Sequence, residues 1–311
     1  MIKKLSLTTT ARVYVMMIVL YLMSGLMEKN YFSTEHIMQL LVMASFLGIL
    51  AMGQTLVILT GGIDLSVAYT LNLGAVIVTQ MTVEQGGVTA VVTALILGLV
   101  IGALNGAGVV YLKISPMIMT LAMSSILKSA TYVYTDGTPK GAASDWMKYM
   151  VTGSFMGIKI GILVWIVLAA AMIVILGKTT YGRKIFAIGI SPSVSHLSGI
   201  NNKFMLISVY ALSGLFAVLA GIMMTGFSGL SYLGMGDALL LPSIAAVVIG
   251  GSSIMGGRGG YVGTIAGTII IYILSSILTV LDMKDAGRQI IYGLVILAVL
   301  FMYGREKKVR V

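Results

Sequence analysis

The chain has 311 residues, of which 58% are hydrophobic and 10% charged, with a formal net charge of +10. A water-soluble domain does not carry so few charges over that length, and apolar runs of roughly 18 residues or more, each able to cross about 30 Å of hydrocarbon, recur along it. Cysteine is absent, which excludes disulfides, thiol catalysis and cysteine metal sites.

The N-terminal MIKKLSLTTTAR precedes an apolar run as the basic region of a signal peptide does. No small-residue cleavage pattern follows, so the run reads as a retained first span. Candidate spans are 13–27, 37–59, 64–82, 88–112, 117–134, 158–177, 204–226, 238–256, 261–281 and 287–303. The fold class is therefore all-α, a polytopic helical membrane protein of about ten transmembrane helices with both termini on one side. Placing the termini inside puts Lys3, Lys4, Arg12, Lys113, Lys178, Arg183, Lys184, Lys203, Arg258, Arg305, Lys307, Lys308 and Arg310 in the cytoplasm. The outer loops then receive Glu28, Glu35, Glu84, Asp136, Asp145, Asp237, Asp282 and Asp285. Positive charge favours the cytoplasmic side, so this is the orientation the sequence predicts. The excess of basic residues is then a topology signal that also attracts anionic lipid, and nucleic-acid binding is excluded as its explanation.

The third span opens on Thr60-Gly61-Gly62-Ile63-Asp64-Leu65-Ser66. The paired glycines predict a break, after which Asp64 serves as the N-cap of the next helix near the interface; a carboxylate lining a solute path is the alternative. Gly98, Gly102 and Gly106 in span four, and Gly259, Gly263 and Gly267 in span nine, recur at intervals that put a smooth strip on one helix face for close packing. Polar residues within the spans are mostly uncharged: Gln54, Asn72, Asn105, Thr120, Ser124, Ser125, Ser208 and Ser213. They suit interhelical hydrogen bonds, and a polar solute's path would be lined by the same kinds; Gln54, Asp64, Asn72, Asn105, Ser124 and Lys128 are the candidates for such a path. Lys128, basic and well inside span five, either snorkels outward or meets an outer acid or a solute.

Between residues 136 and 159 lies the longest outer loop, with Trp146 and Tyr149 suited to an interface. The segment Gly177–Lys203 is the longest polar break that also clusters positive charge. Within it Ser191-Pro192 reads as N-cap and first helical residue, and Gly199 as the stop, so a helix of about two turns is predicted from Pro192 to Ser198. Val194 and Leu197 share one face of that helix. With Phe186, Ile188 and Ile200 nearby, the loop reads either as a hydrophobic docking surface or as an ordinary connection. Toward the C-terminus, Gly256-Gly257-Arg258-Gly259-Gly260 is an inner turn without phosphate-loop spacing, and residues 281–288 form a charged outer turn.

The chain lacks a G-x-x-x-x-G-K-[ST] loop, so it does not itself bind ATP in that way, and no cofactor is expected on it. His36 and His196 are isolated from other ligands at metal-binding spacing, and no nucleophile elbow occurs. An enzyme is not indicated. What remains is a membrane channel or carrier with a largely uncharged lining and a cytoplasmic docking loop.

Gln54-Thr55-Leu56-Val57-Ile58-Leu59-Thr60-Gly61-Gly62-Ile63-Asp64-Leu65-Ser66-Val67 resembles the T-G-G-I-D-L-S-V-G segment of ribose-type permeases of ATP-binding-cassette importers. Tyr181-Gly182-Arg183, Ala187-Ile188-Gly189 and Leu197-Ser198-Gly199-Ile200 resemble that family's cytoplasmic loop, and Ala246–Gly251 with Gly256-Gly257 and Gly263-Thr264 resembles its late segment. Ala68, Met117 and Lys128 depart from the usual Gly, Phe and Arg. The resemblance covers about residues 40 to 300. It implies a type II importer-like permease, one transmembrane domain over residues 1–311, in the bacterial inner membrane. Its partners would be a second permease chain, two ATPase subunits, an external solute-binding protein and membrane lipid.

It further implies that the loop 178–203 couples to the ATPase through Arg183, Phe186, Ile188, Gly189 and Val194, together with His196, Leu197, Gly199 and Ile200. The solute would be a monosaccharide such as ribose, or the sugar-like signal autoinducer-2. A stand-alone ion-coupled carrier is the alternative from another class, because the Gly61-Gly62 and Gly250-Gly251 breaks can be read as corresponding positions of two repeats.

Overall fold

The computed structural model describes the backbone at residues 2–27 and 29–304, and side chains at 10–26, 30–284, 286–294 and 297. Glu28, Arg305, Lys307, Lys308 and Arg310 of the charge assignment, and the side chains of Lys3, Lys4 and Asp285, lie outside the described residues. In chain order the helices are α1 (Ile2–Met27), α2 (Thr34–Leu59), α3 (Val67–Gln85), α4 (Gly87–Tyr111), α5 (Pro116–Tyr134) and α6 (Asp145–Thr152). A two-residue β-hairpin, β1 (Ser154–Phe155) with β2 (Ile158–Lys159), precedes α7 (Ile160–Lys178). Then follow α8 (Thr180–Ile190), α9 (Pro192–Leu197), α10 (Asn202–Ser228), α11 (Leu240–Ile249), α12 (Tyr261–Val280) and α13 (Asp285–Gly304).

Among the described residues, five helices are long and apolar enough to cross a membrane: α2, α4, α7, α10 and α12. α3 and α5 are long enough but interrupt their apolar sequence with Asn72, Thr79 and Gln80, and with Thr120, Ser124, Ser125 and Lys128. The expected span 238–256 is corrected. Its regular helix, α11, covers only ten residues and stops at Gly250-Gly251, about 15 Å of rise against a hydrocarbon thickness of about 30 Å. The run is apolar enough to suggest a span, but the backbone turns out of the helix at the glycines. The hairpin, α6 and α8 are elements the sequence reading did not anticipate.

α2 is the centre of the bundle. From Ala44 to Leu59 every residue is buried, because apart from Gln54 its sequence is apolar or small all the way round and has no polar face to turn outward. α10 packs along both α2 and α4, and the expected glycine strip on α4 is its seat. A methyl built at Gly98 would meet the Gly214 carbonyl, one at Gly106 the Ile207 backbone, and one at Gly102 would overlap the Tyr210 carbonyl. The second strip works the same way between α12 and α11: Gly263 lies against Gly250, and Gly267 against the Ala246 carbonyl. Gly259 falls before the helix, in the turn beside Ser252.

A buried relay ties three helices at the same level. Trp165 Nε1 on α7 donates to Tyr261 Oη on α12 at 2.8 Å, and Tyr261 Oη donates to the Gly48 carbonyl on α2 at 2.9 Å. Gly48 has no side chain because the Trp165 indole occupies that space. Removing the middle hydroxyl strands a donor and weakens the pairing of a carbonyl in an apolar core. Tyr261→Phe is therefore expected to cost about 1–3 kcal/mol, read as a lower melting temperature of the purified protein in detergent. An unchanged melting temperature would contradict this account of the relay.

Candidate translocation and coupling sites

The break after α2 is built as the paired glycines suggested. Gly61 N donates to the Ile58 carbonyl at 2.9 Å and Gly62 N to the Val57 carbonyl at 3.1 Å, closing the helix end with Gly61 at φ +83°. The same device ends α11: Gly251 N donates to Val248 O at 2.9 Å and Ser252 N to Val247 O at 3.2 Å, with Gly251 at φ +90°. In both, a left-handed residue lets two further amides turn back onto the last carbonyls, and glycine takes that conformation without a Cβ penalty.

Past the first break the chain runs through Asp64 without regular secondary structure, and here the cap assignment is corrected. The N-cap position of α3 is Ser66, and Asp64 lies wholly inside the bundle rather than at an interface. Its carboxylate accepts from Ser66 N at 3.0 Å and Ser66 Oγ at 2.6 Å, and from Ser213 Oγ of α10 at 2.8 Å. Gln54 of α2 donates through Nε2 to the Asp64 carbonyl at 2.6 Å, and Asn105 of α4 donates through Nδ2 to Ser66 Oγ at 2.8 Å. Thr120 of α5 accepts from Leu65 N at 3.0 Å. The segment that leaves the helix ladder thus finds partners on α2, α4, α5 and α10. Two buried atoms nearby, Asn105 Oδ1 and Tyr210 Oη, have no hydrogen-bond partner among the described residues.

Of the six path candidates, Gln54, Asp64 and Asn105 are brought into this one cluster; Asn72, Ser124 and Lys128 are not. Asn72 Oδ1 accepts from Met235 N at 3.2 Å, fixing the turn-rich segment that leads to α11 against α3. That segment runs down α3, with Ser231 beside Thr79, Met235 beside Asn72, and Asp237 beside Tyr69. It follows about 15 Å of the length of α3. Asp237, expected in an outer loop, is therefore corrected to a position deep along α3, because α11 is too short to bring its preceding residues to the surface. Tyr69 Oη donates to Asp237 Oδ2 at 3.3 Å, and Lys128 Nζ lies 5.7 Å from the centre of the Tyr69 ring. Neither Tyr69 nor Asp237 was singled out as a path residue from sequence. The available signal is a lone acid just before an apolar run, a pattern that an ordinary loop charge shares.

On the loop 178–203, Thr179 caps α8 by accepting from Gly182 N, and Ser191 caps α9 by accepting from Val194 N at 3.4 Å with Pro192 in the first turn. Gly199 follows in the left-handed region at φ +80°. Val194 is 61% exposed and Leu197 86%, with His196 and Arg183 also exposed. The expectation that Phe186, Ile188 and Ile200 add to the exposed face is corrected. Ile188 is buried, and Phe186 and Ile200 pack against the core, so they anchor the loop rather than present it. Tyr181 Oη and Ser208 Oγ share a hydrogen bond of 2.8 Å that ties α8 to α10, and burial raises the Tyr181 hydroxyl above its ordinary pKa, with the Ser208 bond opposing.

Gly189, near the end of α8, sits where the loop meets both helix breaks. A methyl there would overlap the Leu59 carbonyl and crowd Gly257 N, and Gly257 N itself donates to Leu59 O at 2.9 Å. Gly256 in turn lies against Gly61 N and the Gly189 backbone.

The family described as branched-chain amino acid transport system, permease component, matches residues 36–300. The chain belongs to this family, and is a multi-pass membrane transport protein. It is 36% identical to the ribose import permease of Bacillus subtilis over 90% of this chain and 88% of that protein. It is 34% identical to the ribose import permease of Haemophilus influenzae, over 92% of this chain and 90% of that protein. It is also 30% identical to the autoinducer 2 import system permease of Shigella flexneri, over 93% and 84% respectively. No solved structure matches the chain.

The buried cluster gives a direct test. Ser213→Ala removes one donor from the Asp64 carboxylate and is expected to destabilise the detergent-purified protein by about 1–3 kcal/mol. Ser125→Ala, at an exposed hydroxyl on α5, should stay within about 0.5 kcal/mol of the parent. Equal melting temperatures for the two variants would remove Ser213 from the cluster's support.

Proposed function

We propose that this chain is the membrane-spanning permease subunit of an ATP-driven importer that carries a monosaccharide such as ribose across the bacterial inner membrane. The observation that carries the reading is the α8–α9 arm: a capped helix presents Val194 and Leu197 to the outside, on a loop seated against the ends of the bundle's broken helices. Likeness to permeases named for ribose import supports the solute class. The chain acts as one transmembrane domain of about ten spans, with α3, α5, α1 and α13 completing the set and α11 spanning together with the segment before it. Both termini and residues 178–203 face the cytoplasm, on the distribution of basic residues.

A second permease chain, identical or related, completes the pathway, and an external solute-binding protein delivers the sugar to the outer loops. Two separate ATPase subunits supply hydrolysis, and this chain carries no cofactor. Val194 and Leu197 insert into an apolar groove of the ATPase, flanked by Arg183 and His196, while Gly199 ends the helix. Phe186, Ile188 and Ile200 hold the arm to the bundle. Closure of the ATPase pair moves α9. Gly189 passes that movement to the Leu59 carbonyl and the Gly256-Gly257 turn, and so to the inner ends of α2 and α11, as a rigid-body switch between two packings.

The reading predicts ATP-dependent uptake of labelled ribose in vesicles holding the full set of subunits. Uptake that ignores ATP but follows an ion gradient would overturn it in favour of a stand-alone carrier. Autoinducer-2 is the second solute to assay, on the likeness to the Shigella flexneri permease. Leu197→Asp places a charge in the apolar groove and is expected to abolish co-purification of the ATPase while the chain still inserts. Normal co-purification would sink the docking assignment.

A further inference from the structure

The bundle holds two charged side chains that the relay, the buried cluster and the coupling arm leave unused. Lys128 lies about 18 Å along the axis of α5 from its start, and Asp237 lies at the head of the half-length α11, beside the first turn of α3. Both are exposed, and the half-buried Tyr69 stands between them, its ring under the Lys128 ammonium at 5.7 Å and its hydroxyl on Asp237 at 3.3 Å. Among the described residues neither charge has an ion-pair partner within 4.0 Å. In the ten-span arrangement proposed above, charged groups turned toward lipid at this level are disfavoured, so this face of α5 and α11 borders water or a second protein wall.

We infer that Tyr69, Lys128 and Asp237 form a binding station on the solute path for a neutral, polyhydroxylated solute. The chemistry is specific in three respects. A carboxylate accepts from adjacent hydroxyls, an ammonium donates to hydroxyl and ring oxygens, and an aromatic face packs against the C–H side of a sugar ring. One positive and one negative charge cancel, which favours an uncharged sugar over a phosphorylated or amino one. The three residues come from α3, α5 and the turn before α11, so the station changes shape whenever those elements shift relative to one another. It rests on the permease reading above and adds the residues that handle the solute.

The test uses the complete transporter in liposomes, with tritiated ribose as the probe. Asp237→Asn and Lys128→Met are each expected to slow ATP-dependent uptake at least tenfold, with the ATPase subunit co-purifying at the parental ratio and the melting temperature unchanged. Uptake within twofold of the parent in both variants would overturn the station. A second arm does not depend on ribose being the solute. The chain has no cysteine, so Lys128→Cys and Asp237→Cys each introduce its one thiol. Reaction with a membrane-impermeant methanethiosulfonate is expected at both positions. Labelling only by a lipid-soluble maleimide would place them against lipid and remove the station. Absence of ribose uptake by the parent would count against the proposed solute and leave the thiol result to decide the site.

Discussion

A backbone amide or carbonyl without a partner inside a bilayer costs several kcal/mol, and among the described residues this chain leaves its helical ladders within the bundle after α2 and on both sides of α11. The organisation of the fold follows from how those breaks are satisfied. At the end of α2, two amides turn back onto Val57 and Ile58, and the Leu59 carbonyl is taken by Gly257 from the turn beyond α11. The non-helical residues that follow are held by Gln54, Thr120 and, through Ser66, by Asn105. The end of α11 repeats the same turn and leans on Gly263 of α12. The breaks support each other, which is why the two halves of the chain cannot be described independently where these helices end.

Close helix approach is the second condition. Polar side chains on α2, α4 and α10 reach Asp64 and its neighbours only because α4 and α10 approach at Gly98, Gly102 and Gly214, where backbones rather than side chains are in contact. The carboxylate of Asp64 accepts three hydrogen bonds in a fully buried site, an arrangement with both structural and functional potential. Its three donors explain how a charge-bearing group is tolerated there. The partnerless Asn105 Oδ1 and Tyr210 Oη mark the place where the network is incomplete.

The α8–α9 arm and the three residues proposed to meet the solute lie at different levels of this framework. Gly189 meets the break ends, while Tyr69, Lys128 and Asp237 sit farther along α3 and α5, at the other end of α11. α11 is the common element, since its last turn rests in the junction with the end of α2 and it starts at Leu240, just after the short turn that carries Asp237. Motion at one end of a ten-residue helix reaches the other as a nearly rigid displacement.

Much of this was legible in order along the chain. Apolar run lengths, glycine intervals and the Ser191-Pro192 and Gly199 punctuation depend on local periodicity and local backbone preference, so the helical class, the α4 and α12 packing strips and α9 could be read directly. The Gly61-Gly62 break was legible for the same reason. Tertiary structure decided what local pattern cannot encode: which side of a loop is buried, as at Ile188, and how deep a residue lies, as at Asp64 and Asp237. Those depend on the chain's path after a helix stops, and an apolar run such as 238–256 looks the same to a hydropathy reading whether the backbone stays helical or turns at Gly250. The meeting of Tyr69, Lys128 and Asp237 is likewise a property of three elements folded together, because no spacing in the sequence relates them.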